Sequence, residues 1–230
     1  EEFEDTKLPT EGEYTHKDGK IHSKLTQFSE KAGKTRTIAV VDYYSQRALH
    51  PLHDALMRLL ESIPADGTYS QGNVGDFAQL KTKEKSFVAT SDMTAFTDLF
   101  PAILQRELLN NLEPNRRLCD SWWTLLAERT FTVAWSGEKI TYGVGQPMGA
   151  YASWALCTLA HHLIVHYCAY RTGETSELYD QYRIIGDDNI ISNEIIYTKY
   201  VEVLNQIGCK LNPYKGTKSQ QGAGFSGAEV

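Results

Sequence analysis

The sequence predicts an α+β domain built on an antiparallel sheet with helices on one face, and three observations carry that prediction. Two apolar runs, Tyr182 to Ile185 and Asn189 to Ser192, flank Gly186-Asp187-Asp188, the pattern of a hairpin with carboxylates at its tip. The β-prone run Phe87 to Ser91 ends at a further acid, Asp92. Between and around these strands lie segments with helical spacing, giving an order of helices, strand, helices, hairpin, long helix, hairpin, helix and strand.

Residues 1 to 30 are polar and without pattern, and are expected to form a surface segment. Lys31 to Arg36 is a basic turn that feeds a short apolar strand, Ile38 to Val41. Leu49, Leu52, Leu56, Leu59 and Ile63 recur at helical spacing until Pro64 and the turn Ala65-Asp66-Gly67 stop the helix. Pro101 suits the first turn of a helix carrying Ile103, Leu104 and Leu108, and Pro114 opens another carrying Leu118, Trp122 and Leu125. Phe131 to Trp135, Ser136-Gly137 and Ile140 to Tyr142 form a second hairpin. A long helix follows the Gly145-to-Gly149 loop, and Glu194 to Ile207 forms the last one, with Gly208 as its stop.

With 41% hydrophobic residues in 230, the chain has enough apolar material for a substantial core. A net charge of -6 argues against nonspecific coating of nucleic acid, which runs on Lys and Arg. It leaves room for an enzyme with a carboxylate centre and locally clustered cations. The four cysteines form no C-x-x-C pair, so a zinc site or disulfide framework is not expected. The most apolar stretch, Ala152 to Ala169, is interrupted by His161, His162 and His166, and is read as a buried helix rather than a membrane span. No segment points to an obligate protein partner. The start at Glu1 without Met reads as a piece of a longer product.

The chemistry centres on acids. Asp92, Asp187 and Asp188 are expected to converge at one sheet end, where like charges are unfavourable unless cations sit among them. Two Mg²⁺ ions, with Mn²⁺ as the substitute, would activate a primer 3′-hydroxyl and stabilise the leaving pyrophosphate. Asp98, on the turn after Asp92, is placed to accept a hydrogen bond from a ribose 2′-hydroxyl, the group that marks RNA substrates; its plainer role is to cap the helix at Pro101. Gly149 allows close backbone approach in the Gly145-Gln146-Pro147-Met148-Gly149 loop, and Ser153 puts a hydroxyl one turn into the following helix. Lys31, Lys34 and Arg36 supply cations for a triphosphate, or form a solvated basic turn. Gly33-Lys34-Thr35 looks like the end of an NTPase phosphate loop, but the first glycine of that motif would fall at Phe28, and no strand is expected before it.

Taken in order, these segments resemble viral RNA-dependent RNA polymerases of the right-hand type, most closely those of mitoviruses. Lys31 to Arg36 with Asp42-Tyr43 is similar to motif F and its sequel, and Pro51-Leu52-His53 with Asp66-Gly67-Thr68 to the mitovirus fingers. Asp92 to Asp98 is similar to motif A, Gly145 to Gly149 with Ser153-Trp154 to motif B, and Gly186-Asp187-Asp188 to motif C. Lys215 with Gly227-Ala228-Glu229 resembles motifs D and E. The resemblance implies a palm plus part of the fingers, with the thumb missing. On that basis the chain divides into a polar segment (1–30), partial fingers (31–86) and palm (87–230). It also implies Mg²⁺-dependent RNA synthesis on an RNA template, with nascent RNA and ribonucleoside triphosphates as the other partners, Lys215 or Lys210 protonating the pyrophosphate with Lys215 favoured by spacing, and replication inside mitochondria.

Two features depart from related patterns. Many RNA virus polymerases carry an asparagine where this chain has Cys157, so Asp98 needs other partners. Reverse transcriptases usually carry an aromatic residue two places before the paired aspartates, where this chain has Ile185. A noncatalytic remnant of a captured viral gene is the competing expectation from a different class, and the three intact carboxylates argue against long decay.

Overall fold

The computed structural model describes residues 23–29, 35–113, 115–174, 179–212 and 216–219. They form two four-stranded sheets and seven helices. The first sheet has the order β2-β1-β4-β5, from β1 (Lys24–Ser29), β2 (Thr35–Val40), β4 (Thr130–Val133) and β5 (Lys139–Thr141). Its β1–β4 pairing is parallel and the others are antiparallel. The second sheet has the order β6-β7-β3-β8, from β3 (Val88–Ser91), β6 (Tyr182–Ile185), β7 (Asp188–Ile191) and β8 (Thr217–Ser219), and is antiparallel throughout.

Helix α1 (Tyr43–Glu61) starts where sequence spacing alone could not place it. Asp42 caps it by accepting from the Ser45 amide at 2.9 Å. Arg129 then reaches Asp42 through one guanidinium nitrogen and the Ser45 hydroxyl at 2.8 Å through another, so the cap is also a buried ion pair. Helices α4 (Ala102–Leu112) and α5 (Arg116–Leu126) follow their prolines as expected. Asn115 caps α5 through the Arg117 amide at 3.1 Å.

Helix α6 (Ser153–Arg171) is buried along most of its length, which explains its nearly uninterrupted apolar sequence. Its first turns pack with Leu56, Leu60, Trp122 and Phe131, next to the first sheet. Its later turns pack with Tyr182, Ile184, Ile191 and Tyr200, joining the second sheet to α7 (Glu194–Gln206). Helices α6 and α7 thus cover one face of the second sheet. A further helix, α2 (Gln71–Lys83), lays Val74 and Phe77 against Val88 and Ile190, whose side chains point the other way. The edge of β6 is also occupied: Gly67 donates to the Ile184 carbonyl at 2.8 Å and Ile184 to the Ala65 carbonyl at 3.0 Å.

One strand differs from expectation. β1 lies within the stretch read as patternless, because only Leu25 of its six residues is buried. It also means that a strand does precede Gly33-Lys34-Thr35, contrary to the sequence reading. The phosphate-loop alternative fails on the other side instead, since the chain continues into strand β2 and not into a helix.

Candidate active site

The sheet register brings the acidic positions to one end. Ser91 of β3 lies opposite Asn189 of β7, and Ile185 of β6 lies opposite Asp188. One residue past Ser91 carries Asp92 to the same end as the Gly186-Asp187 turn. Asp92 is buried, and its carboxylate accepts from the Asn212 side-chain amide at 3.3 Å while its carbonyl accepts from the Asn212 backbone at 2.9 Å. Asp187 and Asp188 are half-buried. The donor set is all oxygen, the chemistry of a hard divalent ion such as Mg²⁺. Among the described residues no three His, Cys, Asp or Glu side chains are gathered into a group that holds a metal.

A tightly docked pair of turns flanks this end. Gly145 donates to the Asp98 carbonyl at 3.1 Å and Gln146 to the Thr97 carbonyl at 2.9 Å. A Cβ on Gly145 would collide with the Thr97 and Asp98 backbone, so only glycine fits. Ala95, just before Phe96, and Ala152, just before α6, both hold left-handed backbones, φ 49° and φ 67°; such strain in non-glycine residues concentrates at functional sites.

Asp98 is an exposed residue of the short helix α3 (Phe96–Leu99). It does not cap α4: Pro101 holds that position, with no side-chain cap bond. The Tyr142 hydroxyl donates to the Asp98 carboxylate and accepts from the Met148 backbone amide, linking Asp98 to the glycine loop. Local desolvation raises the Asp98 carboxyl above its ordinary range, and the Tyr142 hydrogen bond partly opposes the rise. Cys157, at the position where an asparagine was weighed, does not serve Asp98. It is fully buried beside Gln146 at 3.2 Å and Gln105 at 3.4 Å, and desolvation pushes its thiol up to about 12.

Gly149 holds a left-handed φ of 102° and lies against β2, where Ala39 donates to the Met148 carbonyl at 3.2 Å. Arg36, on the same strand, is exposed. Gln46 clamps the loop from α1, donating to the Gly149 carbonyl at 3.0 Å and accepting from the Tyr151 amide at 2.8 Å. Ser153 is buried, and its hydroxyl has no hydrogen-bond partner among the described residues. Lys31, Lys34 and Lys215 lie outside the described residues.

Behind the acidic turn sits a buried polar network that sequence reading missed. His161 Nδ1 lies 2.7 Å from the Gly186 carbonyl and its Nε2 2.8 Å from the Tyr200 hydroxyl. Asn189 donates to Tyr200 at 3.0 Å and to the Ser91 hydroxyl at 2.9 Å. Next along α6, His162 joins Tyr182 at 2.8 Å to Asp66 at 3.0 Å. Full burial lowers His161 to about 3, so the ring is neutral. Histidines inside an otherwise apolar helix require buried partners, and that is the sequence signal for this network. No helix among the described residues is long and apolar enough to cross a membrane.

An antiparallel sheet with a carboxylate turn at its end, two helices behind it and a glycine loop docked beside it is the palm of a right-hand polymerase. The sequence matches the family model for the mitovirus RNA-dependent RNA polymerase over residues 3–226. It is 32% identical over 210 residues to the RNA-directed RNA polymerase of Cryphonectria parasitica mitovirus 1, an alignment covering 90% of this chain and 25% of the relative. The chain belongs to the mitovirus RNA-dependent RNA polymerase family. It spans about a quarter of that viral relative's length. An uncharacterized mitochondrial protein of Arabidopsis thaliana is 29% identical over 171 residues, 72% of this chain and 67% of the relative. Among solved structures, the RNA-dependent RNA polymerase of a human picorbirnavirus superposes with a TM-score of 0.63 at 22% identity, covering 88% of this chain and 42% of that one. Telomerase from Candida albicans superposes with a TM-score of 0.64 at 14% identity, covering 89% and 43%. At these identities the likeness is one of fold.

Proposed function

We propose that the chain carries the nucleotidyl-transfer centre of an RNA-directed RNA polymerase that copies a mitovirus-like genome. The observation that carries this reading is the strand register that leads Asp92 and the Asp187-Asp188 turn to one sheet end. Asp92 and Asp187 would be the principal metal ligands, supported by Asp188. Bound there, two Mg²⁺ ions would lower the pKa of a primer 3′-hydroxyl and offset the charge on the departing pyrophosphate.

The chain's own residues do the rest. Asp98, oriented by Tyr142, accepts from the ribose 2′-hydroxyl of an incoming ribonucleotide. The unpartnered Ser153 hydroxyl bonds the ribose or the template backbone. Lys31, Lys34 and Arg36 pair with the triphosphate, and Lys215 protonates the pyrophosphate oxygen as it leaves. The site of action is the mitochondrion, in keeping with the mitochondrial relative in Arabidopsis.

The second reading, a noncatalytic remnant of a captured viral gene, is favoured by the length of the Arabidopsis relative, of which the aligned segment covers 67% against 25% of the viral polymerase. One assay separates the two. Supplied with template RNA, ribonucleoside triphosphates and Mg²⁺, the full-length polymerase that contains this chain incorporates nucleotides and its Asp187→Ala variant, folded as the parent is, does not. A folded parent protein that incorporates nothing favours the remnant, and an Asp187→Ala variant as active as its parent removes the metal-centre assignment.

A further inference from the structure

Each acidic position has an immediate chain neighbour in one hydrogen-bonded network. Gly186 precedes Asp187, Asn189 follows Asp188 and Ser91 precedes Asp92, and all three neighbours are tied to Tyr200 and His161. The direction of the protons is fixed by the chemistry of the ends. A carbonyl only accepts, so His161 Nδ1 must carry the hydrogen that reaches Gly186 at 2.7 Å. Nε2 must then accept, and the Tyr200 hydroxyl donates to it at 2.8 Å. Tyr200, its own hydrogen committed, accepts from the Asn189 amide at 3.0 Å. Asn189 in turn exchanges hydrogen bonds with the Ser91 hydroxyl across β3 and β7. The turn is confined from outside as well, since Gly186 holds φ 59° and the Trp154 ring lies against it with no room for a Cβ. One residue further along α6, His162 holds the Tyr182 hydroxyl at 2.8 Å, at the opposite end of β6 from the turn.

We propose that His161, as the neutral Nδ1-H tautomer, is a positioning residue that sets the backbone of the 186–188 turn, so that its two aspartates and Asp92 can share a divalent ion. The metal part of the proposal rests on the reading of those aspartates given above; the backbone part does not. His161 touches neither metal nor substrate and acts only through the Gly186 carbonyl and through Tyr200. Groups that orient metal ligands from behind typically govern affinity by 10- to 100-fold.

The test measures two quantities on the same variants: Mn²⁺ affinity by electron paramagnetic resonance titration, and amide hydrogen exchange across residues 186–189. His161→Phe keeps the ring and removes both hydrogen bonds. It is expected to weaken Mn²⁺ binding by about tenfold or more and to speed exchange of the turn amides. His161→Asn places an N–H near the original Nδ1 and is expected to recover most of both, a rescue that a role in filling space would not show. Tyr200→Phe leaves His161 in place and frees its tautomer; it is expected to shift both readouts in the same direction by less, and it serves if His161→Phe does not fold. Unchanged exchange at 186–189 in His161→Phe, or in Tyr200→Phe should the first not fold, overturns the proposal. So does Mn²⁺ affinity equal to that of the parent. A parent chain that binds no Mn²⁺ counts against the metal reading alone, and the exchange measurement then decides the positioning role.

Discussion

Gly145 is pressed against Asp98: its amide donates to the Asp98 carbonyl at 3.1 Å, and a Cβ at Gly145 would sit 2.5 Å from that same oxygen. Two segments 47 residues apart in sequence are thereby held in one relative position beside the acidic turn. Gly145→Ala is expected to force them apart and to cost about 1–3 kcal/mol, the usual range for overpacking. Urea unfolding measures the cost, and a variant as stable as the parent would show that the turns are not in contact.

Tyr142→Phe removes the donor that favours the charged form of Asp98. With desolvation then unopposed, the Asp98 carboxyl is expected to titrate at a higher pH than in the parent, which carboxyl carbon NMR resolves. If Asp98 reads the ribose, the same variant loses discrimination between ribo- and deoxyribonucleotides in a competition assay.

The Asp42–Arg129 pair makes a statement about pH. Burial alone would raise the Asp42 carboxyl, but the Ser45 amide, the Arg129 guanidinium and the Ser45 hydroxyl outweigh it and hold it below its ordinary value. Because the folded-state pKa is depressed, the stabilisation is present above the unfolded value, about 4, and is lost as pH falls through the folded one. Asp42→Ala strands the arginine and is expected to cost about 3–5 kcal/mol at neutral pH, with a weaker fall in melting temperature below pH 4 than the parent shows.

Histidine burial acts in a higher window. His161 falls to about 3, and His166 and His53 are also lowered, in each case chiefly by burial. Between about pH 6.5, the unfolded value, and those lowered values the unfolded chain binds protons that the folded chain does not, so stability declines as pH falls. His161→Asn removes the largest of these contributions and is expected to flatten the melting temperature between pH 7 and pH 5. An equally steep profile would mean that His161 is protonated in the folded protein.

How much of this was legible depended on how local the cause was. The hairpin carrying Asp187 and Asp188 and the long helix α6 were readable because their apolar runs sit beside unmistakable breaks. Helix α2 was not, since Gly72 and Gly75 interrupt it and only Val74 and Phe77 are buried. Strand β1 was hidden because only Leu25 of its six residues is buried, which leaves no alternation to read. At the site, the aspartates could be named from sequence, but their support could not. The contacts from His161 to Gly186, His162 to Asp66 and Tyr142 to Asp98 join residues 25, 96 and 44 positions apart, and no periodicity marks such pairs.

In the proposed mechanism Asp92, Asp187 and Asp188 act together on one divalent centre. Mn²⁺ titration of the chain followed by electron paramagnetic resonance tests it directly, with Asp92→Asn and Asp187→Asn beside the parent. The expected result is a saturable site in the parent that either substitution alone removes while the folded spectrum persists. Mn²⁺ bound equally well by both variants would contradict it.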